Sequence, residues 1–124
     1  MSYAGYFQNR SKYGAKKCTC SQGHTHDSKK EATRCDELHL LLRVGEISNL
    51  ELQKSFEIIP AINYATPMKK ERKVCYKADF VYNDKAGRCV IGDTKGMRTK
   101  EYILKRKLVK MLYCQDGKTI FIET

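Results

Sequence analysis

The stretch Val74–Tyr82 constrains the fold more than any other part of the chain. Val74, Tyr76, Ala78, Phe80 and Tyr82 alternate with Cys75, Lys77, Asp79 and Val81. A period of two puts the first set on one face of a β-strand and the second set on the other. Asn83–Gly87 has turn composition, and Arg88–Lys95 reads as a second strand that Gly96 ends. With Asp84–Gly87 as a four-residue turn, Asp79 is expected directly opposite Asp93, their Cβ atoms about 5 Å apart.

Other elements follow from periodicity and capping. Lys16–Cys20 and His24–Asp27 suit a short hairpin around Gln22-Gly23. Ser28 to Val44 reads as a helix: Ser28-Lys-Lys-Glu31 is a capping-box pattern, with Ala32, Cys35, Leu38, Leu41 and Leu42 as the apolar stripe. Gly45 stands where a C-terminal glycine belongs. Leu50–Ile59 reads as extended, and Pro60 to Lys73 as a loop. Thr99 is expected to cap a second helix to about Tyr113, with Ile103, Leu104, Leu108, Met111 and Leu112 as its apolar stripe. Lys118–Glu123 is the last strand. The order predicts an α/β domain: one mixed central sheet flanked by helices, with a short N-terminal hairpin. Residues 1–14 read as a flexible basic arm and 15–124 as a single domain.

Charge narrows the partner. The 124 residues carry 24 Lys and Arg against 14 Asp and Glu, a net +10. Such an excess favours a polyanion, through phosphate contacts and counterion release. No apolar run approaches the roughly 20 residues of a membrane span. The first 14 residues lack the apolar core of a signal peptide. A soluble, cytoplasmic protein that does not engage the membrane is the expectation.

The residues that carry chemistry are Asp79, then Asp93 and Lys95 of the run Asp93-Thr-Lys95. Paired carboxylates repel, and a divalent cation between them removes that penalty; oxygen ligands suit Mg²⁺. Asp93 and Lys95 share a strand face, which places Lys95 to contact a phosphate or orient a water. Phosphodiester hydrolysis needs this set. Gly92 and Gly96 bracket it, as glycines do where a ligand or backbone approaches closely. Glu31, in the first turn of the first helix, is a candidate third ligand; its other reading is that it only closes the capping box. The other reading of Asp79 and Asp93 is an ordinary solvated strand face.

Tyr76-Lys-Ala-Asp79-Phe-Val-Tyr and Ile91-Gly-Asp93-Thr-Lys95-Gly-Met resemble the core of the PD-(D/E)XK nucleases. More closely, the chain resembles a family of small phage-encoded nuclease-like proteins of unknown function. That resemblance rests on His26-Asp-Ser-Lys-Lys-Glu31-Ala, Gly45–Gln53, Ala78–Tyr82, Asp93–Gly96 and Tyr102-Ile-Leu-Lys105. It implies a restriction-endonuclease-like core and a host-cytoplasmic enzyme using Mg²⁺ or Mn²⁺. It implies Glu31, Asp79 and Asp93 as metal ligands, Lys95 as the catalytic lysine and Gln53 as an assisting residue. Ala78 replaces the proline that often precedes the first aspartate, and Asp93 replaces the commoner glutamate. Under this reading the substrate is DNA, with branched or structured DNA favoured because a compact domain has little means of reading base sequence. A Holliday-junction-resolvase-like enzyme would act as a homodimer. Lys69, Lys70, Arg72, Lys73, Arg98, Thr99, Lys100 and Lys105 are the candidate phosphate contacts.

Cysteine usage points to a second metal. Cys18-Thr-Cys20 and His24-Thr-His26 flank the hairpin turn, and Cys35 lies two turns into the helix. Four ligands from these five would make a tetrahedral zinc site of Cys3His type. The other reading is a pair of buried cysteines with surface histidines. Cys75, Cys89 and Cys114 read as small packing residues. The alternative to a nuclease is a non-catalytic, zinc-stabilised protein that binds nucleic acid or a host factor.

Overall fold

The computed structural model describes residues 17–65, 68–94 and 97–124. The arm expected over residues 1–14 and the candidate lysine Lys95 lie outside the described residues, as does Gly96. The chain divides into two compact units, one ending at Val44 and the other running Gly45–Thr124.

In the first unit, strand β1 (Cys18–Thr19) pairs antiparallel with β2 (Thr25–His26), Cys18 opposite His26. The turn between them closes through Gly23 N–H to the Cys20 carbonyl at 3.0 Å and Cys20 N–H to the His24 carbonyl at 2.9 Å. Gly23 has φ 85°, a conformation that glycine adopts without steric cost. Helix α1 (Lys29–Arg43) follows. Ser28 caps it as the sequence predicts, its Oγ accepting the Glu31 N–H at 3.1 Å. The buried residues of α1 are Glu31, Ala32, Cys35 and Leu38, whereas Leu42 is exposed. The inner face of this helix therefore carries a carboxylate among otherwise apolar residues and a thiol.

In the second unit, β3 (Ile47–Ile59), β6 (Val74–Asp84), β7 (Cys89–Asp93) and β8 (Thr119–Glu123) form a four-stranded mixed sheet in that order. The pairs β3–β6 and β6–β7 are antiparallel, and β7–β8 is parallel. Helix α2 (Lys100–Tyr113) makes the crossover from β7 to β8, as parallel neighbours require. Its cap is Thr99, whose Oγ1 accepts the Tyr102 N–H at 3.1 Å. The core gathers Ile58, Tyr76, Ala78, Val81, Ile91, Tyr102 and Val109. Cys89 and Cys114 pack against it, in line with their reading as packing residues. The result is a mixed α/β fold with two helices among the described residues, neither long and apolar enough to cross a membrane.

Four expectations need correction. First, the segment read as a loop after Pro60 contains a hairpin, β4 (Ile62–Ala65) with β5 (Met68–Glu71). Second, the turn between β6 and β7 is shorter than four residues. Asp84 N–H bonds the Arg88 carbonyl at 2.9 Å, leaving three residues in the loop. This shorter turn sets the register Phe80 opposite Gly92, which puts Asp79 level with Asp93 one step on; a four-residue turn would have offset Asp79 to Gly92.

Third, β6 does not alternate strictly. Tyr76 has its ring 6.1 Å from Phe121, which pairs with Ile91, which pairs with Val81. Directly paired residues share a face, so Tyr76 and Val81 lie on the same side although alternation assigns them to opposite sides. The irregularity falls around Asp79. Across the ladder Gln53, between Leu52 opposite Phe80 and Lys54 opposite Ala78, has φ 55°. Fourth, α2 buries Tyr102 and Val109, while Ile103, Leu104, Met111 and Leu112 are exposed. The apolar stripe was assigned too wide because Tyr102 supplies the inner contact that Ile103 and Leu104 were expected to make.

Candidate functional site

Asp79 and Asp93 are both buried, at 7% and 1% exposure. A solvated strand face is thereby excluded for both. The sheet fixes their backbones, and neighbouring donors fix their carboxylates. Asp79 Oδ2 accepts the Thr94 N–H at 2.9 Å and the Thr94 hydroxyl at 3.0 Å. Asp93 Oδ2 accepts the Tyr76 hydroxyl. Burial, and then the Asp93 carboxylate, push the Tyr76 phenol far above its ordinary range, so it keeps its proton and acts as a donor. Gly92 is not demanded by crowding: a Cβ there would meet Phe80 O at 3.5 Å, an ordinary contact.

Beside Asp93, on the parallel neighbour β8, lies Glu123. Burial alone would raise its pKa. The Tyr102 hydroxyl and the guanidiniums of Arg98 and Arg106 outweigh burial and hold it at about 2. Arg98 Nε lies 2.8 Å from Oε1, and Arg106 reaches both oxygens at 3.0 and 3.2 Å. Arg98, expected to meet phosphate, is thus paired within the chain. Lys105 likewise pairs with Glu101 at 3.1 Å, whereas Lys69, Lys70, Arg72, Lys73 and Lys100 are exposed. Gln53 is exposed on β3.

In the first unit, Cys20, His24, His26 and Cys35 bring one ligand atom each to within 4.8 Å of one another. The set is Cys2His2, not the expected Cys3His; Cys18 is not among the four. Cys20 Sγ, Cys35 Sγ and His24 Nδ1 form a triangle with all three sides 3.6 Å. A tetrahedral zinc ion with Zn–S near 2.3 Å and Zn–N near 2.05 Å requires S···S of about 3.8 Å and S···N of about 3.6 Å. The spacing is therefore that of a ligand shell, and this cluster can hold a metal ion such as zinc. Burial pushes the Cys20 thiol up, but hydrogen bonds led by His26 hold it down at about 6; burial and the neighbouring Cys20 push Cys35 up to about 12. The two thiols are thus driven in opposite directions, and a bound cation would favour the thiolate form of both.

The family described as "Protein of unknown function (DUF1064)" matches residues 10–123. The chain belongs to this family. No curated protein and no solved structure matches it. Membership spans both units, so the carboxylate pair and the Cys/His cluster lie within the matched residues of this family member.

Several residues of this member's sites were not singled out from sequence. Tyr76 and Thr94, which hold the two aspartates, read as strand residues. Glu123 with Tyr102 and Arg106 is visible only once β8 pairs with β7. His39 stands one helical turn after Cys35, its Nδ1 3.5 Å from Cys35 Sγ and 2.8 Å from the Cys35 carbonyl; the i, i+4 spacing was the available signal. Glu31, named as a candidate magnesium ligand, has its Oε2 2.8 Å from His26 Nδ1.

Proposed function

We propose that the chain is a metal-dependent endonuclease that hydrolyses DNA phosphodiesters on a core of the restriction-endonuclease-like, PD-(D/E)XK type. The observation that carries this reading is the burial of two aspartates, Asp79 and Asp93, at one level of the β6–β7 pair. Burying carboxylates is costly, and hard oxygen donors fixed by a sheet suit Mg²⁺ or Mn²⁺. When bound, the ion would polarise a phosphoryl oxygen and acidify a water. The chain's own residues do the positioning: Thr94 fixes Asp79, and the Tyr76 hydroxyl fixes Asp93. Lys95 is assigned to the phosphate or the attacking water. The exposed Lys69, Lys70, Arg72, Lys73 and Lys100 supply backbone contacts. Branched DNA is the proposed substrate, cut by a homodimer that brings two active centres. Glu31 is not needed for this reading, which rests on Asp79 and Asp93.

For the cluster Cys20, His24, His26 and Cys35, we propose a structural zinc ion, on the match between the 3.6 Å triangle and a tetrahedral shell. One stoichiometric zinc per chain in purified protein is the expected result. A second functional reading, a zinc-stabilised binding module without catalysis, is favoured by the donors that Thr94 and Tyr76 already give the aspartates.

The two readings part in one experiment. Labelled four-way junction, flap, linear duplex and single-stranded DNA are incubated with Mg²⁺, Mn²⁺ or EDTA. The nuclease reading expects metal-dependent cutting that falls more than about 100-fold in Asp79→Asn and Asp93→Asn, beyond the loss of an outer-shell partner. Binding of every substrate with no cutting under either metal would leave the binding module as the better account.

A further inference from the structure

We infer that Glu31 is a positioning residue of the zinc centre, holding the His26 ring by Nδ1 so that His26 binds the metal through Nε2 while His24 binds through Nδ1. This rests on the zinc reading above. The two histidines use Nδ1 differently: that of His24 faces the sulfurs, and that of His26 faces Glu31. His24 Nδ1 is the atom 3.6 Å from both sulfurs. His26 has Nδ1 on Glu31 Oε2 at 2.8 Å, and both side chains are almost fully buried, at 2% and 6% exposure. With Nδ1–H donated to the carboxylate, only Nε2 has a lone pair to offer a metal. A carboxylate on the far nitrogen of a ligating histidine fixes the tautomer and the ring plane and raises the basicity of the ligand.

The same arrangement explains a feature of α1 that capping does not. Glu31 lies on the inner face of the helix beside Ala32, Cys35 and Leu38, where an ionised carboxylate needs a partner. Its backbone N–H serves the Ser28 cap, while its side chain reaches into the β2 strand to His26. One residue thus joins the helix start to the hairpin that carries the other ligands. The turn holding Cys20 is tied to the same helix by Asp36, which accepts the Ser21 N–H at 2.8 Å and its hydroxyl at 3.2 Å. The centre is therefore braced from both ends of its hairpin by α1.

A test without substitution is long-range ¹H–¹⁵N correlation on the zinc-loaded full chain. His26 is expected to be protonated at Nδ1 and metal-bound at Nε2, with His24 the reverse. Zinc bound through His26 Nδ1, or His26 outside the shell, overturns the inference. Competitive zinc titration is the second arm. Glu31→Gln, which keeps an acceptor but loses the charge, should weaken zinc binding about 10-fold, and Glu31→Ala about 100-fold. Unchanged zinc affinity in both variants overturns the positioning role while leaving the zinc reading intact. No zinc bound by the wild-type chain overturns both. Loss of DNA cleavage in Glu31→Gln at native zinc affinity would assign the carboxylate to the active centre instead.

Discussion

Gln53 holds a left-handed backbone in the interior of β3, across the ladder from Asp79. A residue with a Cβ is strained there by about 1 kcal/mol or more. Asn49 has the same hand, at φ 53°, but sits at a register shift, and asparagine tolerates this region. Gln53→Gly is therefore expected to raise stability by about 1 kcal/mol in urea denaturation, and Asn49→Gly by less. Equal destabilisation by both would remove the strain assignment. If Gln53→Gly gains stability and loses cleavage, the strain serves the site. At this scale Asp79 and Asp93 were legible as carboxylates on neighbouring strands, whereas the three-residue turn that sets their register was not. Their partners were not. Tyr76 reaches Asp93 only because β6 breaks its alternation near Asp79, and no periodicity announces that break.

Among the elements, β8 is tied to its crossover helix through the side chain of Glu123. It is one of the two edge strands of the sheet and pairs with β7 in parallel, with Glu123 opposite Asp93 at its end. Glu123 binds Tyr102 and Arg106 of α2 and Arg98 just before it, so one carboxylate fastens the strand to its crossover helix. Its folded pKa, about 2, lies below the ordinary 4.5. A depressed folded pKa contributes stability above the unfolded value and loses it as pH falls through the folded one. The contribution is therefore complete above about pH 5 and lost between there and pH 2, on the order of 2 kcal/mol. Glu123→Gln should lower stability at pH 7 by about that amount and flatten the pH dependence in this window; a variant with the wild-type acid profile would refute the assignment. Helices α1 and α2 were legible to within a residue because Ser28 and Thr99 cap them with side-chain oxygens that sequence displays. The β4–β5 hairpin was missed because Ile62-Asn-Tyr-Ala and Met-Lys-Lys-Glu71 are short, lack a clean period of two, and pair only with each other.

At the scale of the whole molecule, the two units are built on different physical terms. The unit beginning at Gly45 has an apolar cluster shared by sheet and helix, with Val109, Ala78 and Ile91 at 0% exposure. Among the described residues ending at Val44, the buried set is Cys20, His26, Glu31, Ala32, Cys35 and Leu38. Three of these six are members of the Cys/His cluster that could hold a metal, and a fourth is the carboxylate on His26. Only Ala32 and Leu38 offer apolar side chains free of that role, too little area to order a hairpin and a 15-residue helix unaided. Metal binding in such a segment is folding free energy. Chelation is therefore expected to collapse hydrogen-exchange protection across residues 18–44 and to leave β6, β7 and β8 protected. Because Cys20, Cys35 and the two histidines all lie before Val44, a Cys20→Ser, Cys35→Ser double variant should reproduce the chelated pattern without chelator. Protection that falls equally in both segments would mean that zinc supports the whole chain as one cooperative body. Protection unchanged in 18–44 would mean that this segment is held by packing, and that the 3.6 Å triangle is a contact among free thiols and an imidazole.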